Sequence, residues 1–142
     1  MPLDKVLVRR KCALILDDLK DVERLSRVTR AAFLVGRDNQ LIAERLLERI
    51  ISRMIDINYH IVTQRDGVPP RDFYQSFTKL AELGVLSPPL ANALAPAAGL
   101  RNRLAHEYNE IDQAKIYEAL GDVLSQAPRF LEAVEAALGS EA

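Results

Sequence analysis

Arg101, Asn102, His106 and Tyr108 fall together in the run Gly99-Leu100-Arg101-Asn102-Arg103-Leu104-Ala105-His106-Glu107-Tyr108. Histidine titrates near neutral pH and can take or give a proton. Arginine is a permanent cation whose forked donors match phosphate oxygens and the charge that develops on a phosphorane. Together they suit cleavage of RNA, where the 2′-hydroxyl is an internal nucleophile and no metal-activated water is needed. The tyrosine hydroxyl could bind phosphate or be chemically modified. If the run is helical, Asn102 and His106 are four apart on one face, so the amide could orient the imidazole. Arg101 and His106 are five apart, roughly 140° around an ideal helix. One helix then presents them on divergent sides, and a ligand that bridges both sits at a groove edge or between two copies. A two-fold dimer pairing this helix with its mate would bring an arginine and a histidine from each chain together.

The elements that must carry these residues are helices. Strand signals are nearly absent and helical periodicity runs from end to end. Residues 4–35 place Val8, Cys12, Ile15, Leu19, Val22 and Leu25 at helical spacing. Gly36 followed by Arg37-Asp38-Asn39 predicts a turn, and a second helix then runs roughly from Gln40 to Gln64. Gly67-Val68-Pro69-Pro70 stops it. Leu46, Leu47, Ile50, Ile51, Met54, Ile55, Ile57, Ile61 and Val62 cover more than half of that helix, which must be buried on several sides by its own bundle or by a second subunit. A shorter helix spans about Asp72 to Leu83, closed by Gly84. Ser87-Pro88-Pro89 opens a fourth, with Leu90, Leu94, Ala97, Ala98 and Leu104 inward and a bend at Pro96. The last begins near Asp112 and runs toward Leu138, with Pro128 a kink or break. The expected architecture is all-α: one domain over residues 1–142, an antiparallel bundle of about five helices.

A chain of 142 residues with 49% hydrophobic and 27% charged composition suits one ordinary core with a solvated surface. No apolar run approaches the roughly 20 residues of a membrane span. The start Met1-Pro2-Leu3-Asp4-Lys5 lacks the apolar core of a signal peptide. The single cysteine forms no internal disulfide and no metal cage. These features point to a cytoplasmic protein. The net charge of −1 hides an asymmetry, because residues 107–142 hold eight acidic side chains against Lys115 and Arg129, leaving residues 1–106 at +5. A polyanion can find an attractive surface there.

Other residues have plainer readings. Arg45, Arg49, Arg53, Asp56 and His60 make one polar stripe, and interleaved Glu44 and Glu48 predict a salt-bridged solvent face. His60 is expected to be solvated or paired with Asp56, four residues away. Cys12, Phe73, Tyr74 and Phe77 are expected in the core.

The run Arg101-Asn102-Arg103-Leu104-Ala105-His106-Glu107-Tyr108 resembles the HEPN signature of arginine, polar residue, spacers and histidine, with the HepT extension of tyrosine two after the histidine. The likeness extends over about residues 40–120, through Ile55-Asp56-Ile57, His60-Ile61-Val62, Pro70, Phe77, Leu80-Ala81 and Gly84-Val85-Leu86. Leu100 departs from it, standing where many relatives carry an aromatic residue. The resemblance implies a HEPN-like fold and a metal-independent ribonuclease toxin without cofactor, whose cleft forms on dimerisation. It also implies a minimal nucleotidyltransferase antitoxin that adds AMP to the motif tyrosine. By position, Arg101 and His106 would be catalytic, Asn102 supporting and Tyr108 the modified residue. The rival reading is a non-catalytic helical module that binds a nucleotidyltransferase and presents substrate to it.

Overall fold

The central helix is the one whose sequence is apolar on most of its circumference. In a computed structural model that describes residues 3–106 and 111–140, it is α3, Arg37–Asp66. Leu46, Leu47, Ile50, Ile51, Met54, Ile55, Ile57, Ile61 and Val62 are all buried along it. Burying each such side chain contributes roughly 1.5–3 kcal/mol, which is why other helices gather around it. α1 (Lys5–Ser26), α2 (Arg30–Val35), α4 (Phe73–Glu82), α6 (Ala97–His106) and α7 (Gln113–Gly139) all pack on α3, and α5 (Pro88–Leu94) bridges α4 and α7. The described residues form seven helices and no strand.

The all-α bundle is the expected one, but two expected helices are each divided, which gives seven in place of about five. The stretch 4–35 breaks after Ser26, whose hydroxyl donates back to the Glu23 carbonyl at 2.7 Å. Thr29 then caps α2 by accepting from the Ala32 amide. Both side chains offer the backbone an alternative to continued helix. The stretch after Ser87 breaks at Pro96, which has no N–H to extend α5. Its carbonyl instead accepts from the Gly99 and Leu100 amides and starts α6. α7 is one unbroken helix through Pro128, so no break occurs there; buried Ala127, Phe130 and Leu131 hold both sides of the proline against the core.

The remaining punctuation follows the sequence closely. Gly67 ends α3 with φ +80°, and Gly84 takes φ +77° after α4, both left-handed values that cost other residues energy. Asp72 caps α4 through the Gln75 amide at 2.7 Å, and Ser87 caps α5 through the Leu90 amide with Pro88 and Pro89 in the first turn. Such caps are each worth about 1 kcal/mol.

Candidate active site

Arg101 and His106 lie on the same short helix, as the motif spacing requires. Arg101 is half-buried, and its Nε–H donates to the Ser52 hydroxyl on α3 at 3.2 Å. The guanidinium carbon sits 5.2 Å from the centroid of the Phe73 ring on α4, a cation–π distance. Both partners are neutral, and no carboxylate pairs with Arg101 among the described residues. Arg101 lines a cleft of about 360 Å³ together with Lys11, Ile55, Asp56 and Tyr59.

The walls of this cleft are braced by the core. Asn58, fully buried on α3, donates to the Ser76 hydroxyl at 3.1 Å, and that hydroxyl donates to the Phe73 carbonyl at 2.6 Å. This chain fixes the start of α4 and with it the Phe73 ring. Tyr59 meets the ring edge-on, with centroids 6.0 Å apart. Burial, and then the charge of Asp72, push the Tyr59 hydroxyl above the usual tyrosine range, so it stays a donor at neutral pH. Lys11 on α1 pairs with Asp56 at 3.3 Å across the cleft mouth.

His106 is exposed at the end of α6, and Asn102 is exposed one turn before it. The helix gives the two a common face, while no hydrogen bond joins them among the described residues. Arg101 and His106 diverge around α6, the former toward α3 and α4 and the latter to the surface. Tyr108 lies outside the described residues. The chain re-enters them at Ile111, and Gln113 at the start of α7 donates to Glu44 of α3 at 2.8 Å.

Several side chains fall elsewhere than the sequence suggests. His60 neither faces solvent freely nor pairs with Asp56: its Nε2 accepts from the Asp4 amide at 3.0 Å, tying the start of α1 to α3. Arg49 and Arg53 do not form a solvent face. Arg53 donates to the carboxylate of Asp18 on α1 at 2.9 Å, and Arg49 Nε lies 3.2 Å from the same oxygen without hydrogen-bond alignment. Only Arg45, with Glu48 at 2.7 Å, is the local surface pair expected. Phe77 is buried and Cys12 and Phe73 pack half-buried against the core as expected, Phe73 also meeting Arg101, whereas Tyr74 is exposed. Ser52 and Phe73 were invisible as site residues because their link to Arg101 spans 49 and 28 positions of chain.

Comparison with known proteins gives the family of the chain. The tRNA nuclease HepT of Aphanizomenon flos-aquae is 32% identical over 136 residues, 96% of this chain and 92% of its own length. The mRNA nuclease HepT of Shewanella oneidensis is 30% identical over 90 residues, 63% of this chain and 68% of its own. The solved structure of the tri-AMPylated Shewanella oneidensis HEPN toxin in complex with MNT antitoxin matches with a TM-score of 0.81 at 26% identity, covering 91% of this chain and 96% of that one. The chain thus falls in the HEPN class of ribonucleases. Within that class the chain belongs to the ribonuclease HepT-like family, whose family model matches residues 15–134.

Proposed function

We propose that this ribonuclease is the toxin of a toxin–antitoxin pair. In this reading it cuts RNA with Arg101 and His106 at a cleft completed by a second copy, and a nucleotidyltransferase silences it by adenylylating Tyr108. The observation that carries the reading is an arginine held, among the described residues, by a hydroxyl and an aromatic ring, one helix turn and a half from an exposed histidine. A guanidinium without a carboxylate keeps its full charge for phosphate. The nuclease relatives and the toxin–antitoxin complex supply the biological setting.

The chemistry divides as follows. The 2′-hydroxyl of RNA attacks the adjacent phosphorus while histidine removes its proton. Arg101 stabilises the added charge on the equatorial oxygens. The 5′-oxygen leaves with a proton, giving a 2′,3′-cyclic phosphate and a free 5′-hydroxyl. These steps need no metal ion, since the nucleophile is internal. One His106 cannot at once remove and donate a proton, but two of them, one from each copy, divide the roles. Two features favour a second copy: Arg101 and His106 diverge on α6, and Leu7 and Leu14 stand exposed one turn on either side of Lys11, beside the Arg101 cleft.

No helix among the described residues is long and apolar enough to cross a membrane. The reading has the chain act in the cytoplasm on RNA. Expression of the chain alone is expected to arrest growth, and co-expression of a nucleotidyltransferase of the MNT type to relieve it with an AMP-sized gain in mass. Normal growth with abundant, unmodified protein would sink the toxin reading and favour a non-catalytic binding module.

A further inference from the structure

A long side chain that must stabilise charge in a transition state has to be ordered before that charge appears. Arg101 is ordered from two directions, and both trace back to α3. Ser52 accepts from its Nε–H at 3.2 Å. Phe73 lies under the guanidinium plane, held in turn by the Asn58–Ser76 hydrogen bonds. With Nε engaged by the hydroxyl, the two terminal nitrogens, which make no hydrogen bond among the described residues, present the forked edge that matches phosphate. A carboxylate in place of Ser52 would give a stronger bond but would neutralise the charge. A hydroxyl orients the group and leaves the charge intact.

We infer that Ser52 is a positioning residue for RNA cleavage, fixing Arg101 through Nε and aiming its terminal fork at the scissile phosphate. This rests on the reading that Arg101 acts on phosphate. Ser52 is half-buried and small, so Ser52→Ala removes little packing.

The test is steady-state cleavage of one defined RNA oligonucleotide by the purified chain and its variants. Ser52→Ala is expected to lower kcat about tenfold, the lower end for losing a hydrogen bond to a charged group, with KM within about twofold. Ser52→Thr, which keeps the hydroxyl, is expected to stay within about twofold of the parent. Added to Arg101→Lys, Ser52→Ala is expected to do nothing further, because lysine has no Nε–H to orient. A second readout does not depend on turnover. The Arg101 Nε–H resonance, identified by its loss in Arg101→Lys, is expected to exchange with water about tenfold faster in Ser52→Ala. Parental kcat in Ser52→Ala beside an impaired Arg101→Lys would overturn the inference alone, as would equal losses in both backgrounds or unchanged exchange. Parental kcat in Arg101→Lys would instead remove the reading of Arg101, and the inference with it.

Discussion

Asp18 is a buried carboxylate on α1 that holds two arginines of α3, and replacing it by alanine should be among the more damaging single changes in the bundle. Its side chain is 8% exposed, against 21% for Arg53 and 40% for Arg49. The Arg53 bond, 2.9 Å and aligned, is the stronger of the two; a hydrogen bond to a charged group is worth roughly 1.5–3 kcal/mol. The Arg49 contact is misaligned at its buried Nε, and the rest of that side chain is partly exposed, which limits it to about 0.5 kcal/mol. Removing Asp18 also leaves two guanidinium groups facing each other, although both can turn toward water. The sum is a loss of about 2.5 kcal/mol. For a chain of this size each kcal/mol lowers Tm by roughly 3 °C, so Asp18→Ala should melt about 8 °C lower by circular dichroism. A melting point within about 2 °C of the parent would show that the α1–α3 joint is held by its apolar contacts alone. The ion-pair argument for the arginine stripe would then be wrong.

Other consequences can be checked on the same protein. Tyr117 donates to the Val28 carbonyl at 2.6 Å where the chain turns between α1 and α2, so Tyr117→Phe should cost about 1 kcal/mol in urea unfolding. Burial pushes the Cys12 thiol up to about 11, so below that pH it stays protonated in the folded chain. Its alkylation at pH 8 should be slow in the native protein and should accelerate as pH approaches 11 or when urea unfolds the bundle; fast native labelling would contradict the burial. Tyr108→Phe should keep ribonuclease activity yet accept no AMP from the antitoxin, and continued AMP transfer would place the modification elsewhere.

The parts of the fold that announce themselves in sequence are those fixed by local backbone chemistry. Gly67, Gly84, Asp72 and Ser87-Pro88-Pro89 mark helix ends because left-handed turns and unsatisfied amides favour those residue types wherever they occur. The break between α1 and α2 was hidden, since Ser26 and Thr29 interrupt a pattern whose apolar spacing reads through to Phe33. The asymmetry of the two prolines was hidden as well. Pro96 divides a helix and Pro128 does not, although residues on both sides of each proline are buried in the core.

At the candidate site, the sequence exposes the groups proposed to react and conceals those that hold them. Arg101 and His106 are legible because Asn102, Tyr108 and the flanking order accompany them in one short run of sequence. Ser52 and Phe73 come from other helices, and a serine inside an apolar helix or a phenylalanine at a helix start has an ordinary explanation until tertiary structure brings it to an arginine. The same holds for His60 and Asp18, whose partners Asp4, Arg49 and Arg53 lie across helix interfaces.

The central claim is that the arginine–histidine helix cleaves RNA without a metal ion. It is tested most directly by incubating total RNA with the purified, unmodified parent and with His106→Ala, EDTA present throughout. Cleavage by the parent, with at least about a hundredfold less from His106→Ala at an unchanged melting temperature, is the expected result. Equal cleavage by the two proteins, or none by a parent whose intact mass shows no added AMP, would contradict it.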